Sequence, residues 1–139
     1  MGASGPGIFE DDSAQDFVAL VVMSEDCGVV EDVLSVATER AFLDAELAAR
    51  ALAAASVVAC LADGGGEVPE GLKSWARGRG VPHQNIVRQA YRAVLRVIRD
   101  SELRDLWAER DDLDAWIDGL IRLVDRLAAF RPLELREPT

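Results

Sequence analysis

Hydrophobic positions recur along the chain with a helical period, except in one stretch that is apolar on every side. Residues 45–62, AELAARALAAASVVACLA, carry two charges, and from Ala51 to Leu61 the only polar side chain is Ser56. A helix that is apolar all round is normally buried all round. Because a bilayer span needs about 20 apolar residues, this run looks too short to cross one. The pattern therefore predicts the central helix of a globular domain.

Amphipathic segments on both sides of this run predict the helices that cover it. They are a helix that ends near Met23, one over 29–39, a short one that opens at Pro69, one from Pro82 to about Arg99, a short one capped by Ser101, and one from Asp111 and Asp112 to Phe130. No stretch combines strand alternation with hairpin signals. The predicted fold is all-α, a single-domain bundle of about six or seven helices around the buried Ala-rich helix 45–62. We expect residues 1–139 to form this domain, with a Gly-rich N-terminal arm (1–8) and a C-terminal tail (131–139).

The same spacing predicts which side chains point inward. For the first helix they are Ala14, Phe17, Val18 and Val21, broadened by Leu20 and Val22; for the second, Val29, Val33, Val36 and Ala37; for the last, Leu113, Trp116, Ile117, Leu120, Ile121, Val124, Leu127 and Ala128. The aromatic residues expected in the core are Phe17, Phe42, Trp75, Tyr91, Trp107 and Trp116. Asp44 is the expected N-cap of the central helix, and Asp63-Gly64 its stop.

Composition and charge restrict the classes of partner. Of the 139 residues, 50% are hydrophobic and 29% charged, and the net charge of −10 opposes binding to nucleic acid. No positively charged leader precedes an apolar stretch, so we expect a cytoplasmic protein without a membrane partner. Cys27 and Cys60 are isolated and lack metal-like spacing. Free thiols are the favoured interpretation, with a disulfide as the alternative.

An acidic cluster lies where the first predicted helix begins: Glu10, Asp11, Asp12 and Asp16. Carboxylates are the ligands that Mg²⁺ and Ca²⁺ prefer, so one hypothesis is a cation site, although the EF-hand spacing is missing. The simpler interpretation is a helix N-terminus. Asp12 with Gln15, or Ser13 with Asp16, fits a capping box, and acids there compensate the helix dipole.

Basic residues concentrate in the second half of the chain. Residues 9–46 hold eleven acids and one base, whereas residues 70–99 hold seven bases and one acid. Arg88, Arg92, Arg96 and Arg99 recur at i, i+4, i+8 and i+11, on one face of one predicted helix. They predict either a docking strip for an acidic protein partner or a face that is solvated or paired with the chain's own acids.

No catalytic constellation accompanies these charges. His83 is the only histidine, stands at the start of a predicted helix, and has no nearby Ser or Cys motif to suggest a nucleophile. We therefore predict a non-catalytic protein-binding or regulatory module that needs no cofactor. The alternative is a divalent-metal-dependent enzyme or metal-binding protein that uses the acidic cluster. A third hypothesis is a homo-oligomer assembled through an apolar face around Trp75.

Four segments in order carry a family resemblance: GPGIFEDDSAQDF, RALAAASVVACLADGGG, VPEGLKSWA and DSELRDLWAERDD. They resemble the bacterial family catalogued as domain of unknown function 4259, over Gly2 to about Leu127. Two positions depart from it: relatives have an aromatic residue where Ser4 stands and Glu where Ser56 stands. The resemblance implies no defined activity, substrate or cofactor. By analogy with small acidic bacterial proteins, it is compatible with an immunity-type or regulatory role.

Overall fold

The computed structural model describes residues 5–130, and these residues form seven α-helices and one short 3-10 helix. The 3-10 helix spans Ile8–Glu10. The α-helices are α1 (Asp12–Val22), α2 (Gly28–Glu39), α3 (Ala45–Asp63), α4 (Glu70–Ala76), α5 (Gln84–Arg99), α6 (Glu102–Ala108) and α7 (Leu113–Ala129). No β-strand occurs in residues 5–130. The predicted all-α bundle is confirmed, whereas Ser4 and the predicted tail 131–139 lie outside the described residues.

The alanine-rich helix α3 is the centre of this bundle. It packs against each of the other six α-helices and against the 3-10 helix. From Ala51 to Cys60 every residue is buried. Alanine adds little width to a helix, so six neighbours can approach α3 closely and still reach the packing density of a protein interior.

The ends of α3 follow the predicted signals. The Asp44 carboxylate accepts a hydrogen bond from the Leu47 N–H at 3.4 Å, and Arg40 to Leu43 separate α2 from α3. Gly64 ends the helix with a φ of 72°, a left-handed conformation that glycine adopts without steric cost.

By length and composition alone, the 19 residues of α3 would also suffice to cross a membrane. The expectation that this run is too short to cross a membrane was therefore wrong, and its length does not distinguish a core helix from a membrane-spanning helix. Burial is the better guide, because 67% of the apolar window already lies inside the fold, as in the core helix of a globular protein.

Several predicted inward faces are shifted in the structure. Leu20 and Val22 do not broaden the buried face of α1, since they are 58% and 38% exposed.

In α7, Ile121 is 45% exposed and Ala128 is exposed, whereas Leu123, which the pattern did not single out, is buried. The fully buried side chains of α2 are Val30, Leu34 and Ala37, with Val29, Val33 and Val36 only partly buried. α2 and α7 each contact several helices. The sequence pattern alone therefore does not show which side of the apolar stripe on each helix is the more deeply buried.

The six aromatic residues predicted for the core differ in burial, and Trp75 and Tyr91 are half-buried. Phe17, Trp107 and Trp116 are buried, and the last two stack with ring centroids 6.1 Å apart. Phe42 is 64% exposed, so its predicted place in the core was wrong. It lies in the turn between α2 and α3, where its neighbour Leu43 is the residue that enters the core at 1% exposure.

Candidate functional site

The four predicted arginines share one side of α5, and we call Arg88, Arg92, Arg96 and Arg99 the arginine face. A groove of about 620 Å³ runs between its first three members and the end of α2. The groove is lined by Thr38, Glu39, Asn85, Arg88, Gln89, Arg92 and Arg96. Helix α5 contributes this row because its apolar residues pack against α2, α3 and α7, which leaves its arginines outside.

Arg96 differs from the other three because it is tied to the chain. Its guanidinium donates hydrogen bonds to the carbonyl oxygens of Ala37 at 3.3 Å and Ala41 at 3.0 Å. The carbonyls at a helix C-terminus lack partners within the helix and carry partial negative charge. Arg96 therefore holds the end of α2 and the following turn against α5.

Arg88, Arg92 and Arg99 are exposed, and none forms an ion pair or hydrogen bond within residues 5–130. The ion pairs of this part of the chain lie elsewhere: Arg50 with Glu46, Arg77 with Glu70, Arg110 with Asp112, and Arg126 with Asp63. The predicted alternative, pairing with the acids of the first half, is not seen for these three arginines. Glu39, the one acid in the groove, instead accepts a hydrogen bond from Ser35 at 3.4 Å.

The arginine face continues into the turn that holds Phe42. Arg96 binds the carbonyl of Ala41, the residue before Phe42, and Arg40 beside it is also exposed. On the other side of Phe42, the Leu43 carbonyl accepts a hydrogen bond from the Glu102 N–H at 2.9 Å. The turn is thus fastened to α5 and to the start of α6, and Phe42 within it is 64% exposed.

The acidic cluster serves the start of α1. Asp11 is the N-cap, and its carboxylate accepts hydrogen bonds from the N–H groups of Ser13 at 2.8 Å and Ala14 at 3.3 Å. Both predicted capping registers were therefore wrong, since the cap lies one residue before Asp12 and two before Ser13. Glu10 accepts a hydrogen bond from the Gly7 N–H at 3.0 Å. Within residues 5–130 no group of three or more His, Cys, Asp or Glu residues is arranged to hold a metal ion.

A second groove of about 620 Å³, which the sequence interpretation missed, lies between the N-terminal arm and α7. Pro6, Ile8 and Phe9 line one wall, and Arg122 and Arg126 line another. Ile8 and Phe9 pack against the core, so this part of the arm belongs to the domain. Within the arm, a Cβ at Gly5 would overlap the Glu10 carboxylate as it lies in the structure.

Ser56 lies at the base of this second groove and is 3% exposed. Its hydroxyl donates a hydrogen bond to the Leu52 carbonyl one turn earlier, at 2.9 Å, as serines inside helices often do. The hydroxyl therefore needs no partner from another element.

The remaining candidates have structural partners. The exposed His83 is the N-cap of α5, and its Nδ1 accepts a hydrogen bond from the Asn85 N–H at 3.0 Å. Trp75 donates a hydrogen bond to the Ser24 carbonyl at 2.9 Å, and the Arg79 guanidinium covers its ring at 4.0 Å. The apolar face predicted around Trp75 is thus partly covered by the chain itself.

Both cysteines are free, as predicted. Burial raises the pKa of the Cys27 thiol, with Glu31 as a secondary cause, and burial also raises the pKa of the Cys60 thiol. Both thiols are therefore protonated at neutral pH and are weaker nucleophiles than an exposed cysteine.

A protein-family model matches most of the chain. The family model described as "Domain of unknown function (DUF4259)" matches residues 2–118. No curated protein and no solved structure matches the chain significantly. The match covers the N-terminal arm, α1 to α6 and the start of α7, so the resemblance noted from the four sequence segments is confirmed. The chain belongs to the DUF4259 family.

Proposed function

We propose that this protein is a non-catalytic binding module that docks an acidic protein through the arginine face. The observation that carries the proposal is that Arg88 and Arg92 line a groove while no acid in the described part of the chain pairs with them. The net charge of the chain is −10, so a row of unpaired cations makes this part of the surface positive while the protein as a whole is negative. Complementary potentials of this kind steer association and select partners.

The chemistry of the groove favours carboxylate ligands. A guanidinium donates two parallel hydrogen bonds to one carboxylate, and this geometry is stronger and more specific than a single contact. Arg88 and Arg92 are one helical turn apart, so they match carboxylates one turn apart on a partner helix. Nucleic acid is a poorer fit, because the acids over the rest of the surface repel phosphate.

The test is affinity capture followed by titration of the purified partner. The sharpest variant is Arg88→Glu with Arg92→Glu, because neither side chain supports the fold, whereas reversal at Arg96 would also release the end of α2. The control is Arg50→Glu with Arg122→Glu, which changes the net charge equally at exposed positions elsewhere and, in addition, breaks the exposed 3.9 Å ion pair of Arg50 with Glu46.

The expected result is at least about a tenfold loss of affinity in the double variant and little change in the control. The affinity of the wild type should also fall as salt rises, because exposed charges are screened. Equal binding by wild type and double variant would refute the proposal, as would an equal loss in the control.

An immunity-type role is the more specific form of this proposal, and it rests on family analogy. Its test is the product of an adjacent gene. If that product is a toxin, wild-type protein should neutralise it, and the Arg88→Glu, Arg92→Glu variant should not. If both proteins neutralise the toxin, the immunity role does not depend on the arginine face.

A further inference from the structure

We infer that the partner segment is amphipathic, with carboxylates one helical turn apart and an apolar side chain at one end that packs on Phe42. This inference rests on the proposed function and adds the chemistry of the partner. It begins from Phe42, an exposed aromatic residue that directly follows Ala41, whose carbonyl Arg96 binds.

The position of Phe42 relative to the arginine face is fixed by hydrogen bonds. Arg96 donates to the carbonyls of Ala37 and Ala41, and the Leu43 carbonyl accepts from the Glu102 N–H. Leu43 is buried, so the turn cannot rotate to bury Phe42 without losing a core side chain. The backbone of Phe42 is therefore held next to the residue that Arg96 binds, and its side chain stays exposed.

The composition of this surface is that of a binding site. Aromatic and arginine side chains are enriched at protein interfaces, and they dominate the affinity where they lie together. The other large exposed apolar side chains belong to other segments: Leu20, Val22 and Met23 to α1 and its end, Ile121 to α7, and Val81 to the loop before α5. Phe42 is the one that the described hydrogen bonds connect to Arg96.

The dimensions fix the spacing of the partner's groups. Arg88 and Arg96 are eight residues apart, which is about 12 Å along the axis of a helix. A partner helix with acids at i, i+4 and i+8 places a carboxylate opposite each of Arg88, Arg92 and Arg96. At the Arg96 end, the chain that follows α5 reaches Glu102, whose N–H binds the Leu43 carbonyl, so a further turn of the partner at this end extends towards the turn that carries Phe42. Arg96 uses two of its five N–H groups on the chain, so it retains donors for a carboxylate.

The experiment uses three synthetic helical peptides of equal length and charge and the full-length protein. The first peptide has Glu at i, i+4 and i+8 and no apolar residue on that face. The second and third add one Leu a turn beyond the acids, at the N-terminal or C-terminal end. Binding is measured by fluorescence anisotropy with wild type, Phe42→Ala, Met23→Ala and the Arg88→Glu, Arg92→Glu variant.

For wild type we expect one of the Leu peptides to bind about 10- to 30-fold more tightly than the acid-only peptide. This gain should disappear in Phe42→Ala and persist in Met23→Ala, which removes an exposed apolar side chain elsewhere. The double reversal should abolish binding of all three peptides.

The contrary outcomes separate the two proposals. If the acid-only peptide binds through Arg88 and Arg92 and Leu adds nothing, the inference fails and the proposed function stands. If no peptide binds, or if binding ignores the double reversal, both fail. Sedimentation of the protein alone completes the test. If the protein associates with itself and Phe42→Ala abolishes that association, Phe42 packs on a second copy of the chain, and the inference is overturned.

Discussion

Arg126 and Asp63 are joined by two hydrogen bonds of 2.9 Å, from Nε and Nη2 of the guanidinium to the two carboxylate oxygens. Nη2 also donates to the Gly65 carbonyl at 3.0 Å. The three bonds fasten α7 to the loop in which α3 ends. Gly66 passes so close that a Cβ there would lie 2.6 Å from Arg126 Nη1.

This pair gives the fold a pH-dependent contribution. The hydrogen bonds from Arg126, and next the Gly65 N–H, hold the pKa of Asp63 below its ordinary value of 3.8. A lowered pKa contributes stability that is present above 3.8 and is lost as the pH falls through the folded value. Asp63→Asn should cost less than about 1 kcal/mol at pH 7, because both side chains are partly exposed to solvent.

Urea titrations at several pH values test this expectation. The difference between wild type and Asp63→Asn should shrink as the pH falls below 3.8. Asp125→Asn, an exposed acid on α7, is the control and should show little difference at any pH. A constant difference down to the lowest pH would show that Asp63 acts through something other than its charge.

The width of α3 is the second feature that mutation can test. Ala53 is fully buried in the helix that all others contact, so Ala53→Leu inserts three carbon atoms where no space exists. Overpacking of this kind costs about 1–3 kcal/mol. The exposed Ala19→Leu in α1 is the matched control and should change the free energy of unfolding by less than about 0.5 kcal/mol. Equal effects in a denaturant titration would contradict the central position of α3.

Two glycines should respond to alanine in opposite directions. Gly119 lies inside α7, where an added Cβ meets nothing closer than Arg122 Nη2 at 3.7 Å. Gly119→Ala should therefore stabilise the protein by up to about 1 kcal/mol. Gly64→Ala should destabilise it by about 1–2 kcal/mol, because its φ of 72° is costly for residues with a Cβ. Thermal unfolding measures both, and a stabilising Gly64→Ala would place the end of α3 elsewhere.

The acidic cluster is tested by separating capping from cation binding. Asp11→Ala should cost about 1 kcal/mol, whereas Asp11→Asn, which retains an oxygen acceptor, should cost much less. Millimolar Mg²⁺, Ca²⁺ or Mn²⁺ should leave the Tm unchanged, because the Asp11 carboxylate is engaged by Ser13 and Ala14. A cation-dependent rise in Tm that Asp11→Asn with Asp12→Asn removes would instead establish the metal-binding alternative.

The central helix and its stops were predictable because they depend on local chemistry. An uncharged run, the Asp44 cap and Gly64 each act within a few residues, and Ser56 bonds within its own helix. Which side of each surrounding helix faces the core was less predictable. Whether Leu123 or Ile121 is buried depends on which neighbours α7 contacts, and those contacts are set by residues far away in the chain.

The candidate site shows the same division. The row of arginines followed from helical spacing, but the role of Arg96 depends on where α2 ends beside α5. Phe42 was misplaced because an aromatic residue in a short turn carries no periodic signal. The second groove was missed because it joins Ile8 of the arm to Arg122 of α7, more than 100 residues apart.

The family match stops at residue 118, part of the way along α7, yet Leu120, Leu123 and Leu127 beyond it are buried. α7 packs on α3 and α5. A polypeptide that ends at residue 118 would lack these three leucines, and the side of α3 that packs on α7 would lose part of its cover. A recombinant fragment that keeps these leucines must therefore include the whole of α7, through Ala129.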